Sequence, residues 1–335
     1  MLNQAVKAAI TAVGSYVPKE TLTNQDLERM VDTSDEWIQT RTGIVERHIA
    51  KNPLHPTSYL AIEAAKNLIQ KKNVDPSSID LVLVATITPD MNIAATAPYV
   101  ATQIGASNAF AFDLQAACSG FLYGMSVASA YIRSGQYKKI LLIGADKMSS
   151  IVDYSDRKTC VIFGDGAGAV LMEKSTNGFG YENDFLRSDG SGREFLYMKS
   201  GGSLHPINAT TFAEGGHYLK QEGRTVFKYA VQNMSLAAKE VMKKNNLTSE
   251  SIDYLVPHQA NQRILEVTRK NIGIEDKKVL MNIQKYGNTT AATLPLVLAD
   301  YESTFKAGDK ILFAAFGGGF TWGAAYLTWN YDQST

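Results

Sequence analysis

Two similar α/β halves, roughly residues 1–174 and 175–335, packed about a pseudo-two-fold axis, are the architecture this sequence predicts. Three observations carry the prediction. The chain matches itself: AAKNLIQKKNVDPSSIDLVLV aligns without a gap on AAKEVMKKNNLTSESIDYLVP, Ala64 on Ala237 and Asp80 on Asp253, at a constant offset of 173. A second pair, KKILLIGA from Lys138 and DKILFAAF from Asp309, follows in the same order at an offset of 171. Finally, each copy alternates helix-period segments with very apolar, β-branched strands, which implies sheets buried between helices. With 45% AVILMFWYC in 335 residues, the chain can bury a core in each half.

Along the chain, the first repeat unit reads helix, turn, strand. The stretch AFAFDLQAACSGFLYGMSVASAYIRSG then carries a strand-like run that breaks at Ala116-Ala117, and a helical pattern begins directly after Cys118. A thiol at a helix N-terminus meets unpaired N–H groups and the positive end of the dipole, so its pKa is expected below the ordinary ~8.5. A small buried hydrophobe is the competing reading of Cys118. Gly135 marks the turn into the apolar strand KILLIGA, and Cys160, in RKTCVIF, is expected to pack in a strand. FGDGAGAVLM spaces its glycines at 164, 166 and 168 and leads into an apolar strand, so it is a tight turn and not a dinucleotide fingerprint. The insertion GGSLHPINATTFAEGGHYLKQEG is expected to form functional loops.

In the second half, His258 lies in DYLVPHQANQRILEVT, where an apolar strand ends and a helix begins. Cys118 shifted by 173 lands on Ala291 in YGNTTAATLPLVLADY, again a turn opening into a helix, so the two helix starts should face each other. Asn288 precedes that helix and by itself suits a simple N-cap, with Thr289 and Thr290 as first-turn or capping residues. Ligands of open α/β sheets bind beyond the carboxyl ends of strands. Cys118, His258 and Asn288 all sit at such junctions, and one cleft gathering the three lifts the thiol above its structural reading. Gly135 has its counterpart in Gly308, before the strand KILFAAF. FGGGFTWGAAYL lacks the Lys-Ser/Thr of a phosphate loop; its glycines suit an oxyanion hole and a strained turn equally.

Composition narrows the function classes. Lys plus Arg and Asp plus Glu number 33 each, so the overall field favours neither nucleic acid nor an acidic partner. Two cysteines make no disulfide framework and suit a reducing cytoplasm. No run reaches the ~18 apolar residues of a membrane span, and the opening MLNQAVKAAI lacks a basic signal region. His48, His55, His205 and His217 show no metal-ligand spacing, and no metal is expected.

The motifs DEWIQTRTGIVER, DLQAACSGF, IFGDGAGAV, HQANQRI, YGNTTAAT and FGGGFTWG, in that order, resemble the β-ketoacyl-acyl-carrier-protein synthase III family. These are the initiating condensing enzymes of bacterial type II fatty-acid synthesis, within the thiolase superfamily. The resemblance runs nearly end to end. It implies a thiolase-like fold, two duplicated halves forming a five-layer αβαβα sandwich, in a cytoplasmic homodimer without cofactor or metal. It also implies a decarboxylating Claisen condensation of acetyl-CoA or a short branched acyl-CoA with malonyl-acyl carrier protein, giving 3-oxoacyl-acyl carrier protein, CoA and carbon dioxide. Cys118 would be the acylated nucleophile, His258 and Asn288 the enolate-binding pair, and the N–H groups of Cys118 and Gly318 the oxyanion hole. For CoA it implies Trp37 and Arg157 flanking adenine, and Arg41 and Thr42 at the phosphates. Gly223, Phe227, Ala260 and Asn261 would line the pantetheine tunnel, and Arg263 would dock the acidic carrier protein.

One departure stands out. The family's Phe-Pro pair at the acyl-pocket mouth, contributed across the dimer, is replaced near that position by Ile93-Ala94, which would widen the pocket for longer or branched starters. Related condensing enzymes of secondary metabolism, or with a CoA-linked extender, are the neighbouring alternative. Papain-like hydrolases share the order Cys, His, Asn, but their local cysteine motif is absent here. A non-catalytic partner subunit would be expected to lack the nucleophile.

Overall fold

The computed structural model describes residues 6–332; residues 1–5 and 333–335, at the ends of the two expected halves, lie outside that range. One sheet runs Ala8–Tyr16, Gly166–Lys174, Lys139–Asp146, Leu81–Ala85, Phe110–Leu114, with its last three strands parallel. The other runs Tyr181–Ser188, Thr321–Thr328, Lys310–Gly317, Tyr254–Pro257, in the same order and with the same directions. Where the first sheet has a fifth strand, the second keeps one parallel bridge, Leu255 to Val279. Strand Leu81–Ala85 is buried throughout, as a parallel strand covered on both faces must be.

The layers follow from which faces are apolar. Helices Thr57–Lys72 and Thr96–Ile104 cover the outer face of the first sheet, burying Leu60, Leu68 and Val100 against Val82 and Ile143. Gly223–Lys244 and Gln262–Ile272 cover the outer face of the second, around Val241, Ile272 and Leu312. Between the sheets lie Gly120–Ser134 and Thr293–Asp300, whose Leu122, Met125, Leu294 and Val297 are buried with residues of both sheets. Five layers result, αβαβα, built from two sheets of matching topology. No helix among the described residues is long and apolar enough to cross a membrane.

The repeat extends to the backbone of the junctions. Strand Phe110–Leu114 feeds a tight turn, Ala117–Ser119, before its helix starts at Gly120, and the corresponding turn Thr290–Ala292 precedes the helix starting at Thr293. Ala117 and Thr290, 173 apart, both take positive φ, 47° and 53°. That conformation is uncommon for a residue with a Cβ and is concentrated where surrounding structure over-determines it. Cys160 departs from expectation: it is buried among Met148, Val152 and Ile283 but lies in a turn, because the chain coils tightly before the strand starting at Gly166.

Candidate active site

Both tight turns open on one cavity of about 1280 Å³, lined by Cys118, His258, Asn288 and Gly318. Each turn is seated on a glycine of the other half. A Cβ on Gly317 would stand 2.6 Å from the backbone N of Cys118, and one on Gly144 would stand 2.3 Å from the carbonyl O of Ala291. Only glycine permits such approach. Thr321 adds a clamp, its Oγ1 donating to Ala116 O at 2.7 Å while its carbonyl accepts from Ser119 Oγ at 3.1 Å.

The electrostatics of the thiol reverse the expectation from its helix start. Cys118 is 5% exposed, and burial, reinforced by the negative charge of Asp146, pushes its pKa up to about 12. Its own N–H pulls the other way and is outweighed, because loss of hydration disfavours an anion more than one turn of dipole favours it. Burial therefore keeps the thiol protonated near neutral pH. The thiolate fraction at pH 8 is then very small, and it rises with pH as long as the pH stays below that pKa. Alkylation of Cys118 by iodoacetamide, followed by peptide mass, is accordingly expected to climb without a plateau from pH 7 to 10. A plateau below pH 9 would contradict this picture.

His258 directly follows strand Tyr254–Pro257, with its N–H bonded to Ala314 O at 2.8 Å. The side chain is 1% exposed, and burial alone draws its pKa down to about 3, so the ring is neutral at physiological pH. Nδ1 lies 2.7 Å from Thr293 Oγ1, which leaves Nε2 as the nitrogen available to a ligand. Asn288 is held by its backbone to the first half: its N–H donates to Ile162 O at 2.9 Å, and its carbonyl accepts from Gly164 N at 3.1 Å. Its Oδ1 accepts from Thr290 N at 2.9 Å, so the free face of the amide is the NH2 group. Two neutral donors thus border the cavity that holds the thiol.

Thr289 and Thr290 do not cap the following helix. The Thr290 hydroxyl instead donates to the buried carboxylate of Asp146. The same carboxylate accepts from Thr86, Ile87 and Thr88 at the end of the neighbouring strand, and from Ala291 N at 3.2 Å. Asp146, Gly317 and Thr293 all support the site; sequence reasoning missed Asp146 and Thr293, and had Gly317 only as one of three glycines suiting an oxyanion hole or a turn. Their one visible signal is position, since Asp146 and Gly317 close the two matched strands at the 171 offset.

The residues expected to meet CoA also border the cavity. Trp37 has the Arg157 guanidinium 5.2 Å and the Arg41 guanidinium 5.5 Å from its ring centroid. Arg157 also donates to Asp32 O at 2.6 Å. A base sandwiched between Trp37 and Arg157 needs twice a stacking distance, so the arginine must swing out to admit one. Thr42 lines the cavity while its hydroxyl donates to Ile38 O at 2.7 Å and accepts from Ile44 N at 3.0 Å, closing the end of its own helix. Of the two expected phosphate ligands, Arg41 alone keeps its polar head free of such a bond. Asn261 caps helix Gln262–Ile272 through Arg263 N and donates to Arg41 O, both at 2.9 Å. Gly223 opens helix Gly223–Lys244 beside open space, and Phe227 and Ala260 pack at the cavity wall with Arg263 over the Phe227 ring at 5.5 Å.

Ile93 is not brought to the cavity of its own chain. It is 90% exposed on a loop turned by Ala94 at φ 73°, while Met91 and Asn92 line the cavity instead. Among the described residues no group of His, Cys, Asp and Glu is placed to hold a metal ion.

Comparison with known proteins agrees with this geometry. The family description 3-oxoacyl-[acyl-carrier-protein (ACP)] synthase III matches residues 112–190, and its C-terminal counterpart matches residues 242–329. A β-ketoacyl-[acyl-carrier-protein] synthase III of Bacteroides thetaiotaomicron is 54% identical, covering 98% of both chains. A relative of the same name from Chlorobaculum tepidum is 50% identical over 97% of this chain and 100% of its own. The solved 3-oxoacyl-[acyl-carrier-protein] synthase III of Aquifex aeolicus superimposes with a TM-score of 0.88 at 43% identity, covering 96% of this chain and 100% of the other. Full-length similarity at this level, over a thiolase-type fold, settles the family. The chain belongs to the β-ketoacyl-acyl-carrier-protein synthase III enzymes, the condensing acyltransferases that initiate fatty-acid synthesis.

Proposed function

We propose that Cys118 takes a short acyl group, acetyl or short branched, from acyl-CoA and condenses it with malonyl-acyl carrier protein. The observation that carries this reading is the convergence on one cavity of a thiol from one half and two neutral donors from the other. Cys118 Sγ bonds to the acyl carbonyl carbon, the CoA sulfur departs, and the thiol proton ends on CoA. Cleavage of the malonyl carboxyl bond then releases carbon dioxide and sends its electron pair toward the thioester oxygen. His258 Nε2–H and Asn288 Nδ2–H stabilise that enolate oxygen, which needs donors that do not themselves surrender a proton. The enolate carbon attacks the acyl-Cys118 thioester, the N–H groups of Cys118 and Gly318 hold the second oxyanion, and the Cys118 thiolate leaves and is reprotonated.

Trp37, Arg157 and Arg41 would seat the adenine and phosphates, and Arg263, at the cavity rim, would meet an acidic carrier protein. The two halves, 1–174 and 175–335, would each contribute one turn. A homodimer across strand Phe110–Leu114 would cover an edge that pairs on one side only and exposes Phe110, and would bring Ile93 to the partner's pocket.

A product assay tests the reading. Straight and branched acyl-CoAs are offered with malonyl-carrier protein or with malonyl-CoA, and 3-oxoacyl product is measured by mass. Product with short acyl-CoA and malonyl-carrier protein is expected. Product with malonyl-CoA alone would replace the extender assignment.

A further inference from the structure

His258 can serve the enolate only if Nε2 carries the proton, and nothing in a neutral imidazole itself fixes that choice. The second nitrogen decides it. Nδ1 lies 2.7 Å from the Thr293 hydroxyl, which is 1% exposed and lies 3.0 Å from the Thr290 carbonyl. That hydroxyl has one proton for two acceptors. The carbonyl already receives the backbone N–H of Thr293, so it is satisfied either way, whereas an unprotonated Nδ1 has the hydroxyl as its hydrogen-bond partner. Both contacts, 2.7 Å to Nδ1 and 3.0 Å to the carbonyl, are within reach of the hydroxyl proton, so the proposed enolate chemistry, which needs Nε2–H, decides between them.

We infer that Thr293 is a positioning residue for the condensation, its hydroxyl donating to Nδ1 of His258 and so holding the ring as the Nε2–H tautomer that faces the cavity. The inference rests on the proposed role of His258 as enolate donor and deepens it. Burial keeps the ring neutral, so tautomer, not charge, is the variable that remains to be set. The fold supplies the partner through the repeat: His258 directly follows a strand of the second sheet, and Thr293 is the first residue of the central helix that follows the Asn288 turn. One short segment, residues 288–293, therefore carries one donor and orients the other.

The test uses full-length protein with labelled histidine ring nitrogens, the His258 signals being assigned by their loss in His258→Gln. Wild-type protein is expected to show Nδ1 unprotonated and Nε2 protonated. Thr293→Val, which keeps the shape and removes the hydroxyl, is expected to broaden or shift those signals. It should also slow carbon dioxide release from malonyl-carrier protein roughly ten- to hundredfold, as loss of an orienting partner does elsewhere. Acyl labelling of Cys118 and the KM for acyl-CoA should stay near wild type, and Thr293→Ser should restore release. A protonated Nδ1 in wild type overturns the assignment whether or not the valine variant folds. Wild-type release rates in a folded Thr293→Val protein overturn it as well. Nε2–H with no malonyl decarboxylation by wild type removes the reading of His258 alone; Nδ1–H with normal decarboxylation removes the Thr293 role alone.

Discussion

Cys118→Ala is expected to take up no acyl label from radiolabelled acetyl-CoA, whereas Cys160→Ala is expected to label as fully as wild type. The effect should be all or none, because transfer requires a bond to sulfur and the proposed cycle has no other nucleophile. The fold should survive. Cys118 is a small buried side chain in a turn held by Thr321, Ser119 and the close seat at Gly317, and removing one sulfur leaves a void worth about 1 kcal/mol. Full labelling of the alanine variant would end the assignment. Cys160 is the fitting control: it is equally buried, its pKa is pushed up to about 11 by burial, and it lies in a different cluster, among Met148 and Phe163.

Asn288→Ala and His258→Ala are expected to acylate at Cys118 and then stall. Each removes a donor aimed at a developing oxyanion, and such a loss lowers the rate by about 10²–10³. Carbon dioxide from carboxyl-labelled malonyl-carrier protein measures it. Because both donors serve one oxygen, the double variant should lose less than the product of the single losses. The His258 donor should not titrate out near pH 6.5, since burial takes its pKa down to about 3 and the ring stays neutral across that range. Normal release from both single variants would sink the pair's role.

How much of this was legible in the chain differs from residue to residue. The duplication was legible because residues on the same face of matched elements face the same packing demand, so apolar spacing recurs at 173 positions. Cys118, His258 and Asn288 were legible as junction residues, since strand ends and helix starts announce themselves locally. The state of the thiol was not. A helix start argues for a lowered pKa, yet the walls that dehydrate Cys118 and the charge of Asp146 come from strands and turns far away in sequence. Which way the Thr42 hydroxyl turns was not legible for a related reason: a threonine near a helix end can offer its hydroxyl outward or bond back to the fourth residue before it, and here it bonds back to Ile38. Motif position put Ile93 at a pocket mouth shared across a dimer, and in its own chain it is exposed on a loop beside Ala94, whose φ is positive.

The sequence by itself determined the repeat, two α/β halves with sheets buried between helices, and the three residue types at the junctions, because periodicity and turn chemistry act over a few neighbouring residues. Only the tertiary structure decided which groups are charged and which hydrogens point where. Asp146 tying the strand ends to Thr290, Thr290 N–H orienting the Asn288 amide and Thr293 against His258 depend on distances between segments that no local pattern encodes. Desolvation depends on the same distances, and it is burial that keeps the thiol protonated and the imidazole neutral.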